Sequence, residues 1–129
     1  MRFRRDVRDW VMKAEEDYAV VYTLQRRRKS VFNDSVCFHA QQCAEKYLKA
    51  LLVKHRIGFP KTHDVLELLR LAKPVASSLE LLRPALEYLE PFAVDMRYPG
   101  EFATRTEAQR ATRLVRDVRS AVQMLLEGV

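Results

Sequence analysis

Glycine and proline are scarce in this 129-residue chain, at 3 and 5 residues. A β-rich fold with many tight turns draws heavily on both, so a hairpin architecture is disfavoured. Cysteine is scarcer still. Cys37 and Cys43 fall within one helical pattern, separated by about 600° of rotation, and point to different sides. They cannot bridge within a straight helix and read as reduced core residues of a cytoplasmic protein. No apolar run approaches the roughly 18 residues of a membrane span. The N-terminal stretch MRFRRDVRDW lacks the apolar stretch of a secretory signal. Helical metal-binding spacings (H-E-x-x-H, E-x-x-H, paired C-x-x-C) are missing, so neither a metal nor another cofactor is expected. Glycine-rich phosphate loops are missing as well.

What is present is charge on an apolar framework. Charged residues make up 31% of the chain and hydrophobic ones 48%. A charged share above the usual ~25%, with ample apolar content, fits solvated amphipathic helices rather than disorder. The net charge of +6 favours acidic partners such as a nucleotide, RNA or an acidic protein. The length suits one domain spanning 1–129.

Apolar spacing of three and four residues places the helices. Val7, Trp10, Val11, Ala14, Tyr18 and Val21 define a first helix from about Arg5 to Arg26, and Trp10 is expected to be largely buried. Asn33 or Asp34 is the expected N-cap of a second helix reaching about His55, with Gly58 and Pro60 stopping it. Its two adjacent stripes, Val36-Ala40-Cys43-Tyr47-Ala50 and Cys37-Ala44-Leu48-Leu51-Leu52-His55, make it apolar over a wide arc. That places it at the bundle centre, or against both the core and a partner. A third helix opens at Thr62-His63-Asp64, with Asp64 and Thr62 competing as cap, and ends at Pro74. Ser77 or Ser78 caps a fourth, carrying Leu79, Leu82, Leu86 and Leu89, which Pro91 ends or kinks. Asp95 to Ala103 reads as an ordered loop. Thr104 and Glu107 have capping-box spacing for a last helix running to Glu127, with Gly128 just past its end. The second and last long helices are expected to supply most of the core.

Polar candidates are few. His39, Gln41 and Gln42 suit local hydrogen bonding on the second helix. Glu45 and Lys49 are an (i, i+4) pair of the kind found on a solvated face, with Lys46 beside them. His63 can cap, pack or act as a base. Arg97-Tyr98-Pro99 holds an arginine on a proline-stiffened loop, suited either to helix-end carbonyls or to phosphate. Arg105, Arg110, Arg113, Arg116 and Arg119 run along the last helix without interleaved aromatics in sequence, which argues against a stacking platform for single strands.

The most specific stretch is Cys37-Phe38-His39-Ala40-Gln41-Gln42-Cys43-Ala44-Glu45-Lys46-Tyr47-Leu48-Lys49-Ala50-Leu51-Leu52. It resembles the second-helix signature of HEPN domains. Pro60-Lys61-Thr62-His63-Asp64 and Arg97-Tyr98-Pro99 are similar to two further motifs of that family, in the same order. Trp10, Ala14, Asp17 and Ala19 fit its first helix. The resemblance implies an all-α, up-down bundle of four main helices plus a short one, commonly a homodimer. It also implies a minimal nucleotidyltransferase partner in a toxin–antitoxin-like pair. The site it suggests comprises Arg97, Tyr98, His63, Lys46 and Glu45, taking a nucleotide or other phosphate ligand. Some family members are metal-independent ribonucleases that use an arginine followed four to six residues later by a histidine. After Arg97 those positions hold Phe102, Ala103 and Thr104. Arg56 and His63 have that spacing, but between helices. A non-catalytic binding module is therefore expected, with the ribonuclease as the alternative.

Overall fold

The computed structural model describes residues 3–27, 32–94 and 99–128. Five α-helices follow in order: α1 Arg5–Gln25, α2 Asn33–Lys54, α3 Val65–Ala72, α4 Arg83–Leu89 and α5 Arg105–Glu127. Two 3-10 turns, Ser77–Leu82 and Glu90–Ala93, flank α4. There is no strand among the described residues. The bundle is all-α, as the periodicity predicts.

Helix α2 is the axis of the molecule. Fourteen of its 22 residues are buried, against six of 23 in α5 and four of 21 in α1. It packs most extensively against α1, then α5, then α3. Helix α1 therefore shares more of α2 than the sequence suggests, because its stripe of Val7, Ala14 and Val21 is fully engaged. The core around α2 combines Tyr47, Leu48, Leu51 and Leu52 with Leu68, Leu69, Leu86 and Leu89, and with Val115, Val118 and Val122 of α5.

Helix ends explain the differences from the sequence expectation. Helix α2 starts after Phe32 with no side-chain cap. Asp34, expected to cap it, instead accepts the Ala103 amide at 2.6 Å and ties α2 to the entry of α5. At the other end the chain turns at Arg56, with φ 57°. Arg56 N–H bonds Val53 O at 3.0 Å and Ile57 N–H bonds Leu52 O at 2.9 Å, the paired closure of a Schellman motif. The left-handed residue is thus an arginine, and Gly58 takes no part. Asp64, not Thr62, caps α3 by accepting from Leu66 N and Glu67 N. Thr62 Oγ1 accepts the Asp64 amide one step earlier. The fourth expected helix is split: Pro84 fits the opening turn of α4, so the residues before it close as a 3-10 turn. Thr104 and Glu107 form the full capping box, with bonds of 3.0 and 2.9 Å. Gly128 follows α5 with φ −118° and needs no left-handed geometry.

The bundle's ends are also stitched. Arg4 guanidinium reaches Val53 O at 2.5 Å and Lys54 O at 3.3 Å, at the C-terminus of α2. Lys54 Nζ in turn reaches Leu125 O and Leu126 O, both at 2.9 Å, at the C-terminus of α5. Each cation meets carbonyls at the negative end of a helix.

Candidate functional site

Two buried carboxylates, Glu45 and Asp17, and a half-exposed one, Glu15, organise the polar side chains between the helices, and each draws cations or donors from another part of the chain. The first is Glu45, 2% exposed. It accepts from His63 Nδ1 at 2.9 Å and from Lys49 Nζ at 3.0 Å. Gln42 Nε2 lies 3.5 Å away and donates to Gln41 Oε1 at 2.7 Å. Gln41 Nε2 donates to the backbone carbonyl of His63 at 2.8 Å. Lys49 is 7% exposed, its ammonium 5.4 Å from the Trp10 ring centre and 5.8 Å from that of Phe59. The Glu45–Lys49 pair is therefore not on a solvated face. The pair lies outside both apolar stripes of α2 and is covered by Trp10 of α1 and Phe59 of the connector between α2 and α3. Trp10 is half-buried rather than deep in the core. It meets Phe59 edge to face at 6.1 Å and closes this cluster.

The exposed member of the cluster is His63, whose side chain is 69% accessible. Its ring is fixed by Glu45 and its carbonyl by Gln41, so an outward-facing imidazole is anchored twice from within. A carboxylate only accepts hydrogen bonds, so Nδ1–H is the donor to Glu45, and in the neutral ring Nε2 is the acceptor.

The second carboxylate is Asp17 of α1. His39 Nδ1 lies 2.8 Å from it and Lys46 Nζ 2.6 Å. Lys46 thus serves an α1–α2 link with His39, while Glu45 serves His63; the two adjacent residues of α2 enter different clusters. Arg97 and Tyr98 lie outside the described residues. Sequence reasoning missed Asp17 as the organiser and Lys49 as a buried group. Lys49 projects from the polar arc of α2, outside both apolar stripes, so helical spacing carried no signal for its burial.

The third carboxylate is Glu15. Arg119 forks onto it with two bonds of 2.7 Å, and the Tyr47 hydroxyl donates to it at 2.5 Å. Gln123 Nε2 donates to the Tyr47 oxygen at 3.0 Å. The Arg119 hydrogen bonds hold the Glu15 carboxyl below its usual range. Burial, then Glu15, push the Tyr47 phenol up, so Tyr47 stays a neutral donor. Burial also raises the Cys43 thiol, which keeps it protonated and unreactive.

The fold brings aromatics beneath the α5 arginines that sequence order kept apart. Arg110 stacks 4.4 Å from Tyr88 of α4, and Arg119 stacks 4.4 Å from Tyr18 of α1. Among the described residues no group of three or more His, Cys, Asp or Glu side chains is placed to hold a metal ion. No helix among them is long and apolar enough to cross a membrane.

A family model for the HEPN domain matches residues 7–125. The chain belongs to the HEPN domain family. Two solved structures share its fold. TT1696 from Thermus thermophilus is 26% identical, with a TM-score of 0.77 over 94% of this chain and 98% of that one. ST0689, an archaeal HEPN homologue, is 24% identical, with a TM-score of 0.75 over 97% of this chain and all of that one. No curated protein matches in sequence. In this HEPN domain the positions where a ribonuclease histidine would follow Arg97 carry no proton-transfer group. Phe102 is an exposed aromatic, Ala103 is buried, and the Thr104 hydroxyl is committed to the Glu107 amide.

Proposed function

We propose that this HEPN domain is a non-catalytic, homodimeric, cytoplasmic binding module that takes a nucleotide or other phosphate-bearing ligand and pairs with a minimal nucleotidyltransferase. The observation that carries the ligand reading is the double anchoring of His63 by buried Glu45 and Gln41. A bundle gains little stability by fixing an exposed ring, whereas a binding site gains from a donor or acceptor held in place. Arg97 has the planar fork that phosphate oxygens accept from, and Tyr98 follows it in the sequence. Lys46, held on Asp17, adds positive potential from α2 rather than a direct contact.

Calorimetric titration with ATP, AMP and inorganic phosphate tests this. Arg97→Lys should weaken binding by about 10- to 150-fold, the worth of one charge-assisted contact, while the melting temperature stays put. His63→Ala should act in the same direction. A wild-type protein that gives no binding heat with any of the three sinks the ligand reading. Sedimentation at tens of micromolar tests the dimer, and a monomer there sinks it. Co-purification with a small nucleotidyltransferase encoded beside this gene tests the partner.

A further inference from the structure

We propose that His63 is a modification site, its Nε2 accepting a phosphoryl group from a small phosphoryl donor. The chain has three histidines, and they differ in the two properties that set nucleophilic reactivity. His55 is exposed but has no carboxylate partner among the described residues. His39 has one, Asp17 at 2.8 Å, but its side chain is 30% accessible. His63 alone combines a buried carboxylate at 2.9 Å with a side chain 69% accessible.

When Nε2 attacks phosphorus the ring acquires positive charge. A carboxylate already hydrogen-bonded to Nδ1–H stabilises that charge without reorganising, and it fixes the tautomer that leaves Nε2 free. With phosphoramidate as donor, the Nε2–P bond forms as the donor's P–N bond breaks. Its electron pair leaves on ammonia, and the ring keeps its Nδ1 proton with the positive charge held against Glu45. Arg56 and Lys61, exposed on the same connector, have no acidic partner among the described residues and favour an anionic donor. Glu45 is a positioning residue here, acting through the ring.

The inference shares His63 with the ligand site proposed above but needs no bound nucleotide, so a failed titration and a failed labelling are separate results. The folded full chain is incubated with phosphoramidate and phosphorylation is read at each histidine by mass spectrometry under non-acidic conditions. His63 should label roughly tenfold or more faster than His55, the size expected of one ionised hydrogen-bond partner, and His39 should lag. His63→Gln, which can still donate to Glu45, should remove the dominant label. Glu45→Gln should bring His63 down to the rate of His55 with His39 unchanged. Should His39 labelling rise in that variant, it has unfolded, and the wild-type order then decides. Equal labelling of His55 and His63 in the wild type overturns the proposal.

Discussion

An arginine in the left-handed region carries a conformational cost that glycine escapes. At φ 57°, Arg56 holds the Schellman closure of α2 against its own Cβ. Arg56→Gly should raise stability by up to about 1 kcal/mol, read as a shift in urea midpoint at constant slope. A loss instead would show that the Arg56 side chain makes a stabilising contact. Glu15 gives a pH prediction. Its folded-state pKa is lowered, chiefly by the Arg119 hydrogen bonds, so it holds its proton less readily than in the unfolded chain. The resulting stability is full above the ordinary carboxylate range and drains away as pH falls below it, through the lower folded value. Glu15→Gln should therefore be less stable than wild type at neutral pH, with the gap closing in acid. A gap that stays constant with pH refutes this. At this scale sequence reading is weakest. Glu45, Lys46 and Lys49 look alike as charges on a helix, yet one is the hub of a buried cluster, one reaches across to Asp17 and one lies between two aromatic rings. Their partners come from α1 and from the α2–α3 connector, and no local spacing reports which side chain a fold will cover.

Helix α5 owes its start to four residues. Thr104→Ala removes the hydroxyl that satisfies the Glu107 amide and should cost about 0.5–2 kcal/mol. The loss should appear as a lower melting midpoint and as faster amide exchange in the first turn. Helix α3 is more exposed to such a change because it spans only 8 residues. Asp64→Ala should fray it from the front, and hydrogen exchange over 65–69 measures the effect; unchanged protection there would refute the capping role. Long elements were plain in the sequence, because α1, α2 and α5 each repeat apolar residues over about four to five turns. The stretch from Ser77 to Ala93 was not. Its leucines keep helical spacing, but Pro84 and Pro91 each remove an amide donor, and the chain answers with two 3-10 turns around a short α4. Leucine spacing says where a helix could run; proline decides where it can close its bonds.

The whole molecule is built around a helix that is charged inside. Lys49→Met strips Glu45 of its ammonium and should cost several kcal/mol, toward the ~3–5 kcal/mol typical of a broken buried pair, moderated by the bond from His63. Adding Glu45→Gln to Lys49→Met should recover much of that loss. Denaturant unfolding of the two single variants and the double one measures the coupling, and additive losses would mean the pair does not interact. The central position of α2 has a temporal side as well. Its contacts with α1 close between neighbours in the chain, whereas Glu15–Arg119 and Lys54–Leu125 span separations of 104 and 71 residues. A ribosome adding 5–20 residues per second needs roughly 4 to 15 s to pass from the end of α2 to the end of α5. Throughout that interval the nascent α1–α2 hairpin shows water the apolar side that α5 will cover. A chain stopped after Thr104 should therefore remain bound to a ribosome-associated holding chaperone, and synthesis of α5 should release it.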